Sequence, residues 1–471
     1  VAGLAALVAD RDPAGTDDRD PAAADGPVRR PDTAPAVLAP AQHPMWTLYR
    51  MQGPGAAYNV PREWTVTGPF DPEAFRAALH DVVARHEVLR TTYGETADGT
   101  VTVDVHPPGE LPVHVGTGAS DEAGADATLA ALVGHRFDLE REAPVRAEIV
   151  RTADDRHRIG LVCHHIAVDE WSLRVLLADL GTAYAARRAG RAPALPAPPL
   201  RFGDVAAWQA ALVGTPQEPT DRARRQLEFW ADRLAGAPPV TTLPIDRPRP
   251  ATLGGHGAEV RSEFGPELAA ALGAAAQRHG TSMFMLLHAV LAVLLEAHAD
   301  ADRDPGDDAG DAVVVGTPVS VRRHAGAEDV VGFALTTLAL RLDLHGDPTL
   351  AEVLDRARTA DLAAMEHADV PFDRVVDRIG PERGAASPLF QVELLYLRTD
   401  PDRSELDLDG AVTTARRTGT GSAKFDATFA FHESVTETGD PRLGVIVEYA
   451  TELYDATTIE AVLARLERLL D

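Results

Sequence analysis

The sequence has one cysteine in 471 residues, Cys163. A single thiol forms no intrachain disulfide and supplies no Cys-rich zinc or iron–sulfur centre. Basic runs are also missing: Lys and Arg never stand in a stretch longer than a pair. Asp and Glu outnumber Lys and Arg by 72 to 45, for a formal net charge of −27. Phosphate recognition needs a basic footprint, so nucleic acid is not an expected partner. Long apolar runs are absent. The most apolar stretch, Met283 to Leu295, is interrupted by His288 and is too short to span a bilayer, so no membrane partner is expected. No basic region followed by an apolar core opens the chain, so no signal peptide is read and the expected compartment is the cytoplasm. The first residue is not Met, and a segment of a longer protein is expected.

What is present suits a folded protein. Hydrophobic residues are 45% and charged residues 25% of the chain. At roughly 150 residues per domain the length fits about three domains or two large lobes. Residues 1–10 have a short Ala/Leu-rich helical pattern. Residues 11–35 are rich in Asp, Pro and Ala without apolar periodicity, the pattern of a flexible acidic linker. The folded body is expected from residue 36.

Helical spacing appears at Phe70 to His86, with Phe75, Ala78, Leu79, Val82 and Val83 on one side. It returns at Trp171 to Arg188 through Leu173, Leu176, Leu177, Leu180 and Tyr184. Alternation at Val145 to Val150 breaks at a polar turn and resumes at Ile159 to Cys163, a hairpin signal. Four prolines in residues 193–199 predict a stiff connector. Further helices are predicted at Arg224–Ala235, Thr281–Ala299, Leu350–Ala368 and Thr457–Leu470. Strands are predicted at Ala312–Val315 and Leu335–Leu342, and an Asp-rich loop at 300–311. The expected class is α/β in two lobes, 36–212 and 213–471.

The densest polar cluster runs from Cys163 to Ser172, where a strand gives way to a helix. Successive strand side chains point to opposite faces, so His164 and His165 diverge. One is expected to face a cleft and the other the core. Asp169 stands where a carboxylate caps a helix N-terminus. An imidazole at a strand end in a cleft suits general acid–base work. A lone His is more often a satisfied core residue. Two His, two acids and a Trp this close together favour function. A metal site is disfavoured, because the adjacent His diverge and no third His lies nearby. A Gly-x-Ser-x-Gly elbow and a phosphate-cradling Gly-rich loop are both missing.

His164 to Glu170 resembles the HHxxxDG motif of condensation domains from nonribosomal peptide synthetases. Other motifs follow in the family's order. Ala41-Gln42 with Trp46 and Leu48 resembles the first, Arg85 to Thr91 the second and Phe202 to Trp208 the fourth. Val331 to Arg341 resembles the fifth, His367 to Asp373 the sixth and Ser387 to Val392 the end of the seventh. The resemblance covers about Leu38 to Asp471. It implies a chloramphenicol acetyltransferase-like fold, with two lobes in a V around a central tunnel. Donor and acceptor peptidyl carrier proteins would bring thioesters on 4′-phosphopantetheine arms from opposite sides, with an adenylation domain adjacent. No cofactor or metal would be held by the domain, and the excised domain would be a monomer. The amine attacks the donor carbonyl, and the task is alignment and charge handling.

By that resemblance His165 faces the tunnel, as a base or as a positioning group. His164 and Asp169 are architectural. Gly316 to Arg322 resembles the family's Gly-x-Pro-x-x-x-Arg strand end, which makes Arg322 the candidate ion-pair partner of Asp169; the alternative is a solvated surface charge. Glu170, Trp171 and Thr336 are candidates for the tunnel wall. Four positions depart from the family: Glu170 replaces Gly, Thr336 replaces Asn, and Ala386 and Pro44 each replace Arg. The Glu170 carboxylate is expected to turn back onto the helix start, the nearer positive group. Residues 1–8 resemble the last helix of a carrier protein, which implies an internal elongation domain. The alternative is a catalytically silent, condensation-like platform that recruits a tailoring enzyme.

Overall fold

The computed structural model describes residues 26–241, 243–299, 312–381, 384, 386–398, 406–416, 418–436 and 438–471. The carrier-like helix, most of the acidic linker and the Asp-rich loop at 300–311 lie outside the described residues.

The strands are β1 (Asn59–Thr67), β2 (Thr91–Glu95), β3 (Val101–Val105), β4 (His114–Ala119), β5 (Val145–Ala153), β6 (Arg156–His164), β7 (Gly257–Phe264), β8 (Ala312–Ser320), β9 (Leu335–Asp343), β10 (Val392–Leu397), β11 (Val412–Arg416), β12 (Ala427–Val435) and β13 (Pro441–Ala450). The α-helices are α1 (His43–Gln52), α2 (Pro72–Arg85), α3 (Glu122–Val133), α4 (Glu170–Arg188), α5 (Phe202–Val213), α6 (Asp221–Leu234), α7 (Pro266–Arg278), α8 (Met283–Ala299), α9 (Leu350–Glu366), α10 (Phe372–Ile379) and α11 (Ala456–Leu470).

Two sheets organise two cores. The first runs β11-β1-β6-β5-β4 and the second β7-β13-β12-β10-β8-β9, with β2-β3 as a separate pair. Helix α2 shows how sequence dictates an element. Asp71 accepts hydrogen bonds from the Glu73 and Ala74 amides, and Pro72 occupies the first turn, where no intrahelical donor is needed. Its apolar stripe, Phe75 through Val83, is buried. Arg187 of α4 pairs with Asp81 of α2 at 2.6 Å. No single helix among the described residues is long and apolar enough to cross a membrane. The most apolar one, α8, is buried in the second core instead.

Segments from beyond residue 212 sit on the first lobe. Strand β11 pairs antiparallel with β1 along the edge opposite β6. It covers ladder groups that an open edge would expose. Ala327, Val330, Val331, Ala334, Leu406 and Leu408 pack into the first core, and α5 places Phe202 there while Val213 joins the second. The chain is therefore threaded between the lobes rather than cut once. Chain-local periodicity carries no signal for such long-range pairing.

Candidate functional site

The hairpin β5–β6 delivers the His pair. Cys163 closes the β5–β6 ladder opposite Val145, and lies opposite Val60 of β1 one pair before the β1–β6 ladder ends at Asn59 and His164. Burial pushes its thiol up to about 12, so it is an inert core residue. The two histidines then diverge. The His164 amide donates to Pro144 O (2.9 Å) and the His165 amide to Tyr58 O (2.8 Å). The His164 ring is buried, edge-on to Phe137, and its Nδ1 accepts the Ile166 N–H at 3.1 Å. Burial, with smaller contributions from His165 and Lys424, lowers its pKa to about 3.

His165 keeps some exposed surface and lies edge-on to Phe333, centroids 5.1 Å apart. Its Nδ1 sits 2.6 Å from Val168 O. A carbonyl only accepts, so Nδ1 carries the proton and Nε2 presents a lone pair. Burial lowers the His165 pKa, and the Lys424 charge adds to this; the Val168 contact and Asp169 act in the opposite direction.

Asp169 is fully buried and caps α4. Its Oδ1 accepts from the Ser172 amide (2.8 Å), and its Oδ2 accepts from Arg322 Nη1 (2.6 Å) and the Ala334 amide (3.0 Å). Arg322 has a side chain only 1% exposed. It also donates to Val330 O (3.1 Å), Gly332 O (2.7 Å) and Ser172 Oγ (2.9 Å). The pair therefore clamps residues 330–334, which come from the second half of the chain, onto the helix start below His165. Gly332 permits the close approach, since a Cβ there would stand 1.9 Å from the Phe202 ring.

The remaining candidates are dispersed. The Glu170 carboxylate does not turn back onto the helix start. It lies 2.6 and 2.7 Å from Arg62 Nη2 of β1, because the buried Asp169 already serves the α4 amides. Trp171 donates from Nε1 to Glu328 O (2.6 Å) with the Arg174 guanidinium over its ring, so it ties down the crossing segment. Thr336 lies opposite Val319 in the β8–β9 ladder, and its Oγ1 is buried without a hydrogen-bond partner.

A cavity of about 340 Å³ lies between the two sheets. Arg62 and Glu170 face it from the first lobe, and Glu393, Thr428 and Glu448 from the second, with Lys424 between. His165 is its neighbour rather than part of its wall: Lys424 Nζ stands 5.1 Å over the Tyr58 ring, and Tyr58 holds the His165 amide. Sequence reasoning missed Arg62, Glu393, Lys424 and Glu448. A usable signal was present, since Lys424 is the only lysine in a chain that otherwise uses arginine. Among the described residues no group of three or more His, Cys, Asp or Glu is placed to hold a metal.

A two-lobed α/β chain with a His pair ending one strand, and a clamped acidic cap below it, matches known proteins over most of its length. The condensation domain family model matches residues 33–471. CymA of Salinispora arenicola, described as a probable non-canonical nonribosomal peptide synthetase, is 40% identical over 447 residues, which is 94% of this chain and 6% of that synthetase. The X-domain from teicoplanin biosynthesis superposes with TM-score 0.83 at 31% identity, covering 94% of this chain and 96% of that one. The same domain in complex with OxyB gives 0.81 at 31% identity, with 94% and 93% covered. The chain belongs to the condensation domain family, the amide-forming acyltransferases of nonribosomal peptide synthetases.

Proposed function

We propose that this chain joins a donor peptidyl or aminoacyl thioester to the amine of an acceptor aminoacyl thioester, as an internal elongation domain. Both substrates would arrive on 4′-phosphopantetheine arms of carrier proteins, one upstream and one downstream, with an adenylation domain adjacent. In the reaction a C–N bond forms, the C–S bond breaks, the amine loses a proton and the donor thiol is released. A thioester is already activated, so no enzyme nucleophile is needed; alignment of two tethered groups is the main demand. The observation that carries this reading is His165, held through Nδ1 so that Nε2 offers a lone pair. With its pKa lowered, the imidazole is neutral near pH 7. It is suited to accept a hydrogen bond from the attacking amine and orient it. His164, Asp169 and Arg322 hold that geometry, and no cofactor is assigned to the domain. The test is direct: two chemically loaded carriers are mixed with the protein and the product mass is read. Transfer of the donor onto the acceptor carrier is expected, and no transfer with any pair would overturn the proposal.

The second reading, a silent platform for a tailoring enzyme, is favoured by the likeness to the X-domain that forms a complex with OxyB. The intact His165 argues for the catalytic reading, and the same loaded-carrier assay separates the two.

Glu170 gives a further prediction. Its bridge to Arg62 is 31% and 45% exposed, so it contributes about 0–1 kcal/mol. Glu170→Gly releases the Arg62 guanidinium into the cavity and widens it. The expected result is an altered preference across a panel of acceptor aminoacyl carriers, with the melting temperature almost unchanged. A clear drop in melting temperature with an unaltered preference would return Glu170 to a purely structural place.

A further inference from the structure

The cavity between the lobes has an unusual wall. Across four neighbouring strands, β10-β12-β13-β7, the aligned residues are Glu393, Thr428, Glu448 and Glu259. All four line the cavity. Glu448 and Glu259 are directly opposite in an antiparallel pair, an arrangement that destabilises a sheet. Burial raises the Glu393 pKa to about 7 and Glu448 adds to this, while Lys424 opposes it. Glu448 is raised by burial and by Glu259, again against Lys424. Glu259 is paired with Arg261 at 3.8 Å, and the other charges on the wall also have nearer partners. Arg62 bridges Glu170, and Arg416 stands 3.1 Å from Glu63, which Arg158 also holds at 2.8 Å. Lys424 is thus the ammonium whose charge reaches both Glu393 and Glu448.

The next aligned row is apolar on three strands, where Leu395, Ala430 and Ile446 line the same cavity, and ends on β7 at Arg261, the partner of Glu259. An acidic row beside an apolar row matches a chain of methylenes ending in a cation, the form of a lysine-type side chain. The cavity of about 340 Å³ has room for such a chain.

We propose that Glu393 and Glu448, with Lys424 as their resident cation, form a specificity pocket for a substrate side chain that ends in an ammonium, with Glu259 at its edge. This deepens the condensation reading and rests on it for the identity of the substrate as an aminoacyl or peptidyl thioester. The pocket neighbours His165 through Lys424 and Tyr58, so a side chain lying in it places its own backbone near the imidazole. These glutamates act on selection and positioning, not on the bonds that form and break.

The experiment titrates the protein by calorimetry with non-hydrolysable pantetheine amides of lysine and of norleucine, which lacks the terminal ammonium. Each is used with a free α-amine, as an acceptor mimic, and with an acetylated one, as a donor mimic. The lysyl probe is expected to bind about tenfold or more tightly in one of the two series, the scale of a charge-assisted contact; that series names the source of the side chain. In Glu393→Gln/Glu448→Gln, and more weakly in Glu448→Gln alone, the ratio falls towards one. The double variant melts above the wild type, because the like-charged row is relieved. Equal binding of both probes in both series, a preference that survives in the double variant, or a double variant that melts lower would each overturn the pocket. The two proposals fail separately. A lysyl preference with no condensation of any carrier pair removes the condensation reading alone, and condensation with no such preference removes the pocket alone.

Discussion

His165→Ala is expected to lower amide formation between loaded carriers by at least ~10²-fold, the scale of lost acid–base or amine-orienting help. The melting temperature should stay near that of wild type, because His165 as a residue is not fully buried and the polar contact of its ring is to Val168 O. His164→Ala should show the opposite division. It leaves the buried Ile166 N–H without its acceptor, a loss of about 1–3 kcal/mol, and removes an aromatic edge from Phe137. Equal turnover of His165→Ala and wild type would remove His165 from the reaction. The lowered pKa values give a second readout. Below the ordinary imidazole value of 6.5 the unfolded chain takes up protons that the folded His164 and His165 do not. Stability therefore falls as the pH drops below 6.5 and is unaffected by these two groups above it. An NMR titration should find both rings still neutral at pH 6. A His165 ring that titrates near 6.5 would contradict the partial burial and the Lys424 charge that lower its pKa.

Asp169→Ala and Arg322→Ala should each destabilise the protein by about 3–5 kcal/mol, the cost of leaving one buried charge without its partner. Both side chains are almost wholly buried, and their 2.6 Å contact joins the α4 cap to residues clamped from the second half of the chain. In chemical denaturation the double variant should be markedly less destabilised than the two losses added. It will not return to wild type, because the Ala334 and Ser172 amides still lose their acceptor. Simple additivity would mean that the two charges do not stabilise one another. Weakening the clamp should also reduce condensation, since residues 330–334 carry Phe333 to the His165 ring.

Much of the site was legible because it is local. A strand ending at His164, a divergent imidazole and a capping carboxylate five residues on follow from period-two alternation and helix-end chemistry. The elements that were read from the sequence lie where they were predicted and shifted only at their ends. The predicted helix at Thr281–Ala299 is α8, Met283–Ala299, and the strand read at Ala312–Val315 runs on to Ser320. Helix ends depend on capping contacts that residue spacing only outlines.

Glu170 shows the limit of this reading. From the sequence, the free amides of its own helix are the nearest positive group; in the fold, Asp169 holds that place and Arg62, 108 residues away, takes the carboxylate. The surroundings of Trp171 and Thr336 are likewise set far along the chain, by Glu328 and by β8.

The sequence by itself determined the periodic elements, the His pair with its cap and the order of motifs that marks the family, because each depends on residues within a turn or a strand of one another. Only the tertiary structure decided that β11 closes the first sheet, that Arg322 meets Asp169 across 153 positions, and that Glu393, Glu448 and Glu259 align beside the sole lysine. Those contacts arise from strand register and from the packing of two lobes. Both are set by burial of the whole chain, and neither leaves a local period in the sequence.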